Sequence, residues 1–471
     1  MADMQDDSGL NIFTRLTRGE FSKAWDGVVD MAKMALNKSQ RYENRETLIS
    51  LIHDCIYAKG GDVSARARTV ELGAVYLNLS KQGREMFHDI LAKDFDIDRQ
   101  VLAEKIAALQ KATDDDQKIS AEIDLKKALT PPRQILLKQF SSMPNGFKFL
   151  IDMRADILPE TRQDQNLWKL SLDIREILGA WFDIGLLDLQ EITWNSPAAL
   201  LEKLIEYEAV HEIRSWDDLR NRLTSDRLCF AFFHSKMISE PLVFVEVALV
   251  NKLSSNIQDL LNKEDDKTTP EKASTAIFYS ISNTQPGLAG ISLGNFLIKT
   301  VVKKLSDDFS QIKQFATLSP VPGFRKWLAP KLADGEEDIL LPKEIKAIKA
   351  HSDCANSAHQ LEKILAGDWY NIDKTAELAK PILIRLCTRY LLQERKKERA
   401  LDQVANFHLT NGARLEQINW LADLSEKGLL LSYGIMVNYH YKLSKIEDNH
   451  EEYVTKSKIA ASRSVHGLLK G

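Results

Sequence analysis

The chain has 471 residues, 44% of them hydrophobic and 28% charged, and 63 Lys+Arg against 67 Asp+Glu leave a formal net charge of -4. That size and balance fit a globular protein of one to three domains; they exclude disordered and disulfide-stapled small architectures and give no support to a counterion-driven grip on nucleic acid. Cys55, Cys229, Cys354 and Cys387 stand far apart, with no CxxC pair and no His at zinc-finger spacing, and read as reduced core thiols. The first residues, MADMQDDSG, are acidic without an apolar run, and nothing reaches the ~18 apolar residues of a membrane span. LLKG at the end is not a peroxisomal address. A cytoplasmic protein with neither membrane nor nucleic acid as partner is expected.

From Phe21 to Phe140 apolar residues recur at three-and-four spacing, as in Leu102, Ile106 and Leu109, which predicts helices. Lys111 to Ser120 (KATDDDQKIS) reads as a solvated turn between two of them. Thr130 before Pro131 and Pro132 is a start signal, because threonine caps free amides and a proline in the first turn loses no hydrogen bond. Around Pro159 the pattern lapses into DILPETRQDQN, which places a boundary between a domain of residues 1–160 and one of residues 161–471, with a linker helix near Leu167.

After Trp216 the grammar changes. RLCFAFFHSKM (Arg227 to Met237) and PLVFVEVALV (Pro241 to Val250) predict a hairpin. TAIFYSIS (Thr275 to Ser282) predicts a strand, followed by a polar loop and an amphipathic helix, LGNFLIKTVVKKL. The short run QFATL ends at Ser319-Pro320, residues Pro342 to Gln403 read as mainly helical, and LLLSYGIMVNYHY returns to strand. The fold class expected is α+β and multidomain: an all-α N-terminal bundle, then a mixed α/β domain with helical insertions.

Three places hold candidate chemistry. The loop NTQPGLAGISLG (Asn283 to Gly294) sets three glycines between a strand and a helix, where close backbone approach and the helix dipole suit a pyrophosphate. It matches neither a Walker loop nor a dinucleotide fingerprint, and taken alone it reads first as a tight turn without a ligand. Ser319 precedes the stiff Pro320-Val321-Pro322-Gly323, and His408 lies in NFHLTNGA; taken alone, each reads as a structural group before a catalytic one. His211, His234 and His359 read as structural groups, since no motif in the sequence lifts them out of that reading, and RKKER (Arg395 to Arg399) reads as a solvated helix face.

Taken together, FKFLIDMRADIL (Phe147 to Leu158), EPLVFVEVAL (Glu240 to Leu249), AIFYSISNTQPGLAGISLGNFLIK (Ala276 to Lys299), LSPVPGF (Leu318 to Phe324), ANFHLTNGA (Ala405 to Ala413), INWLADLS (Ile418 to Ser425) and GIMVNYHY (Gly434 to Tyr441) resemble the malonyl-CoA decarboxylase family in sequence and order. The resemblance implies a catalytic domain similar to the acyl-CoA acetyltransferase (GNAT) fold, in which Ala289, Gly290, Ile291, Ser292, Leu293, Gly294 and Asn295 grip malonyl-CoA. Counted from Gln285, Leu288 stands where acetyltransferases have a first glycine, whereas Gly290 fits the second. The resemblance also implies a catalytic pair, Ser319 and His408, both touching substrate, with Tyr441 nearby; Ser292 receives no catalytic role. His408 is expected as the proton source and Ser319 as its hydrogen-bonded partner that contacts the carboxylate or relays the proton, and which of the two touches carbon is left open.

Neither metal nor organic cofactor is expected, because the thioester of malonyl-CoA is itself the electron sink. The resemblance further implies a homotetramer assembled through the N-terminal helices. Two rival readings are a CoA-dependent acyltransferase acting on an amine and a silent scaffold that merely binds CoA.

Overall fold

The computed structural model describes residues 44–57, 62–262, 270–291, 293–352 and 354–470; residues 21–43 of the stretch expected to be helical lie outside these, and among the described residues its periodicity becomes eight α-helices. They are α1 (Arg45–Tyr57), α2 (Asp62–Asn78), α3 (Lys81–Lys93), α4 (Arg99–Lys111), α5 (Asp115–Ala128), α6 (Arg133–Gln139), α7 (Gly146–Ile157) and α8 (Gln165–Trp181). Short polar side chains start several of them: Ser80, Asp98, Asp114 and Asp164 each accept a hydrogen bond from amides of the first turn, which would otherwise lack a partner. The apolar stripes converge on a core that includes Leu48, Phe87, Leu91, Leu137, Leu150, Leu170 and Ile174, all fully buried. Buried Arg133 is satisfied there by Asp96 and Asp173 and by the carbonyls of Leu91 and Ala92.

Two local expectations need correction. The turn between α4 and α5 is only Ala112 to Asp114, because Asp114 caps α5 and draws the rest of KATDDDQKIS into helix. Thr130 does not start α6; its hydroxyl donates to the Lys126 carbonyl at 3.1 Å and closes α5, while α6 begins after Pro132 without a side-chain cap. Helices α4 and α5 pack on each other as a hairpin that buries none of its side chains fully, and Val101, Ile106, Ile119, Ile123 and Leu129 around it are exposed.

The chain divides into two units between Leu186 and Leu187, and the first unit also takes Ser235–Met237 and Gln285–Ile291. The sequence break near residue 160 coincides with a 3-10 turn, Leu158–Arg162, after which α8 packs back on α3 and α7.

The second unit is built on one mixed sheet: β1 (Leu187–Ile192), β2 (Arg227–His234), β3 (Val243–Val250), β4 (Thr275–Asn283), β5 (Gln314–Thr317), β6 (Ser319–Pro320), β9 (Arg414–Asn419) and β10 (Met436–His440), with a separate small hairpin of β7 (Arg395–Lys396) and β8 (Arg399–Ala400). The order is β1-β2-β3-β4-β5-β10, and β10 also pairs with β6 and β9. All pairs are antiparallel except β4 with β5. A parallel pair needs a crossover, and α10 (Leu293–Asp308) supplies it. Helix α9 (Ala198–Tyr207) packs Leu201 and Leu204 against Cys229, Ala231 and Phe233 of β2. Near-continuous apolar runs in β2 and β3 reflect strands buried on both faces.

The sheet splits at one irregularity. The parallel pairing runs from Thr275–Gln314 to Phe278–Thr317, after which Leu318 N–H donates to the Phe278 carbonyl at 3.0 Å and the two strands part. β4 continues to Asn283 paired only with β3, and β6 begins at Ser319 paired with β10.

Later expectations change in detail. RKKER is not a helix face: it forms the β7–β8 hairpin, turned at Lys397 with φ 58°. LLLS ends a helix, Glu426–Ser432, and the strand starts only at Met436, after Tyr433 and Gly434 take left-handed conformations (φ 54° and 75°). The four cysteines are free, and among the described residues no helix is long and apolar enough to cross a membrane.

Candidate active site

Where β4 and β5 part, alternation along the chain puts Thr317 and Ser319 on one face. The Ser319 hydroxyl donates to Thr317 Oγ1 at 2.8 Å, and Thr317 Oγ1 also accepts the Tyr439 N–H at 3.2 Å. Pro320 and Pro322 each lock their own φ and lack an N–H, and Pro320 is the last residue of β6. Gly323 closes the turn where a Cβ would lie 2.0 Å from the Tyr390 hydroxyl.

His408 is carried by α12 (Gln403–Thr410), whose predecessor α11 (Asp373–Leu392) brings Tyr390. Asp402 is the cap: one carboxylate oxygen accepts the amides of Val404 and Ala405 at 3.0 and 2.9 Å. The other accepts Gly323 N–H at 3.2 Å and the Tyr390 hydroxyl at 3.4 Å. A single buried side chain thus starts the helix of His408 and holds the turn after Ser319. Burial pushes its pKa up, against the pull of those amides.

His408 Nε2 lies 3.0 Å from Ser319 Oγ and Nδ1 lies 2.8 Å from the Tyr441 hydroxyl. Tyr439 and Tyr441 share a face at the end of β10, and the Tyr439 ring stacks on the imidazole at 4.5 Å and 24°. Ser319, His408 and Tyr441 are 6%, 2% and 1% exposed, so water is largely excluded from the trio. Burial drives the His408 pKa down to about 3 and raises that of Tyr441 well above its usual value.

The direction of the hydrogen bonds follows. Ser319 has one proton and gives it to Thr317, so it accepts from Nε2–H, and Nδ1 must then accept from Tyr441. In this arrangement the imidazole presents N–H rather than a lone pair to the serine. It is suited to supply a proton through Ser319, whereas an activated serine nucleophile needs the opposite tautomer. A second buried network sets the far side of β10: Asn438 Nδ2 donates to the carbonyls of Thr317 and Ser254 at 2.7 and 2.9 Å, and Asn419 donates to its Oδ1 at 2.7 Å.

The glycine segment is divided between the two units. Gln285–Ile291 lies with the helices, and Pro286–Leu288 forms a 3-10 turn that brings Gly287 so close to α7 that a Cβ would sit 1.9 Å from the Ile151 carbonyl oxygen. Arg154 of α7 donates to the carbonyls of Gly287 and Ala289 at 2.5 and 2.8 Å, and Gly290 adopts φ 82°. Ile291 N–H donates to the Leu288 carbonyl. In the second unit Leu293 opens α10, and Gly294 lies beside Phe407, whose ring atoms would be 3.1 and 3.2 Å from an added Cβ. Ser292 and the side chain of Asn295 lie outside the described residues.

Sequence reasoning named Ser319, His408 and Tyr441, which the fold brings into one hydrogen-bonded row. It missed Thr317, Tyr439, Asp402, Asn438 and Arg154. Asp402 had a readable signal, an aspartate directly before QVANF; Thr317 and Tyr439 had the two-residue step from Ser319 and Tyr441. His359 pairs with the Ala333 carbonyl at 3.1 Å, a structural use.

Comparison with known proteins adds family descriptions. Residues 185–471 match the malonyl-CoA decarboxylase C-terminal domain, and residues 95–182 match the N-terminal domain of the same family. The mitochondrial malonyl-CoA decarboxylase of Mus musculus is 37% identical over 396 residues, 80% of each chain. The mitochondrial malonyl-CoA decarboxylase of Anser anser anser is 35% identical over 418 residues, 85% of this chain and 83% of the relative. The crystal structure of malonyl-CoA decarboxylase from Rhodopseudomonas palustris superposes with a TM-score of 0.81 at 38% identity, covering 90% of this chain and 99% of that one. That from Agrobacterium vitis gives 0.79 at 38% identity with the same coverage.

Proposed function

The chain belongs to the malonyl-CoA decarboxylase family, and from that premise we propose that it converts malonyl-CoA to acetyl-CoA and carbon dioxide with Ser319 and His408 at the reacting carbon. The carboxylate leaves as carbon dioxide, its bonding electrons pass to the thioester as an enolate, and a proton is added to the α-carbon. Ser319 turns its hydroxyl from Thr317 to that carbon and is refilled by His408 Nε2–H. As Nε2 gives up its proton, Tyr441 passes its hydroxyl proton to Nδ1, which keeps the imidazole neutral, and one proton from solvent returns the row to its starting state.

The observation that carries this reading is the buried, uncharged row Tyr441, His408, Ser319 and Thr317. A neutral imidazole in a dry site gives the substrate carboxylate no cation to rest against, while neutral carbon dioxide loses nothing there. Hydrogen-bond donors near the thioester oxygen would favour the enolate further. No metal or organic cofactor has a task in this scheme.

The parting of parallel strands β4 and β5, with a glycine turn directly after β4, supports an acetyltransferase-like arrangement for the CoA arm. In this reading Ala289 to Asn295 contact the CoA moiety. The exposed apolar residues of the α4–α5 hairpin support self-association, with a homotetramer as the assembly, and four free thiols suit a reducing compartment such as the cytoplasm.

Incubation with malonyl-CoA and no acceptor tests the reaction. Equimolar acetyl-CoA and carbon dioxide are expected. A requirement for an amine would make the protein an acyltransferase, and CoA binding without turnover would make it a scaffold.

A further inference from the structure

Buried arginines in this protein are as a rule matched to carboxylates: Arg133 to Asp96 and Asp173, Arg222 to Glu246, Arg385 to Glu344. Among the described residues Arg154 is the exception. It is 4% exposed, and its hydrogen bonds go to neutral oxygens alone, the carbonyls of Gly287, Ala289 and Ser171 and the Ser171 hydroxyl. A second guanidinium, Arg175 on α8, is exposed beside it and makes no ion pair or hydrogen bond among the described residues. Burial, with the positive charge of Arg175 added, lowers the Arg154 pKa to about 10. Two neighbouring cations without a counter-charge are costly unless an anion joins them.

The backbone between them is shaped for one. Arg154 draws the Ala289 carbonyl inward, and across a trans peptide the Gly290 N–H must point the opposite way. The neighbouring amides of Leu288, Ala289 and Ile291 each donate to a backbone carbonyl, whereas Gly290 N–H has no such acceptor among the described residues. A Cβ on Gly290 would lie 3.6 Å from Arg175 Cδ and 3.8 Å from its Nη1, so the free amide and the free guanidinium belong to the same few ångströms of surface.

We propose that Arg175, together with the Gly290 amide, binds the diphosphate of CoA, and that Arg154 is a positioning residue that turns this amide outward. The proposal rests on the reading of CoA as the carrier of the substrate. Guanidinium and amide donors suit phosphate oxygens, and the anion would balance both arginines.

Calorimetric titration of the full-length protein and Arg175→Gln with CoA, 3′-dephospho-CoA and pantetheine tests this without relying on turnover. Loss of one charge-assisted contact predicts about 10- to 100-fold weaker binding of both nucleotides by the variant. Arg175→Lys should recover part of it. In turnover, the preference of the enzyme for malonyl-CoA over malonyl-pantetheine should fall by a similar factor. Unchanged CoA affinity, an equal loss with pantetheine, or a loss confined to CoA but absent with 3′-dephospho-CoA would each overturn the assignment. A protein that binds CoA through Arg175 yet releases no carbon dioxide would refute the decarboxylase reading and leave this one standing. An active enzyme indifferent to Arg175→Gln would do the reverse.

Discussion

Burial holds the His408 imidazole neutral down to a pKa of about 3, so the group assigned as proton source does not change charge where an ordinary histidine does. We therefore expect kcat to be flat across pH 6 to 7, and an acid limb centred near 6.5 that disappears in His408→Asn would contradict the neutral row. Ser319→Ala and His408→Asn should each lower kcat by about 100- to 10,000-fold, because each removes a proton-transfer function. Equilibrium titration should find CoA binding largely kept, since neither group faces the nucleotide in this scheme. If the two act as a unit, the double variant is little slower than either single one. Tyr441→Phe spares both transfer groups and removes only the hydroxyl at Nδ1, so its rate should fall between wild type and Ser319→Ala.

Two elements depend on one carboxylate. Asp402 caps α12 and also holds Gly323, so Asp402→Ala should cost about 1–2 kcal/mol in denaturant unfolding for the cap alone, and should slow turnover by loosening His408 against Ser319. An unaltered kcat in a destabilised variant would limit Asp402 to stability. At the glycine turn, Gly290→Val meets a φ of 82° that a branched residue resists, and we expect a folded protein with weakened CoA affinity; full affinity would place the anion site elsewhere. The same elements show what a sequence discloses. Strands β2, β3 and β4 were legible because burial on both faces makes them continuous apolar runs, whereas LDLQEI and RLEQIN, the strands β1 and β9, are half-polar and carry no such mark. RKKER looked helical because charge alone does not distinguish a solvated turn from a solvated helix. Ser319 and His408 were found through ordered matches to a family; the bond of Thr317 to Tyr439 depends on pairing across 122 positions of sequence, which no local pattern encodes.

For the whole molecule, the exposed Val101, Ile106, Ile119, Ile123 and Leu129 make the α4–α5 hairpin, among the described residues, an apolar surface in need of a partner. Light scattering in reducing buffer should give the mass of a tetramer for the full chain, and Ile119→Glu with Ile123→Glu should lower it; a monomeric wild type, or a tetramer indifferent to both changes, would refute this role. The cut between the two units at Leu186 has a different consequence. Because Gln285–Ile291 returns to the helical unit and takes its carbonyl contacts from Arg154, the boundary in space is not a boundary in the gene. Splitting the reading frame there, or shuffling residues 187–471 onto a foreign partner, would deliver a C-terminal half whose glycine turn has lost its template. Modular inheritance is thereby discouraged: the two halves must drift as one, with Arg154 and the turn it shapes exchanged together or not at all.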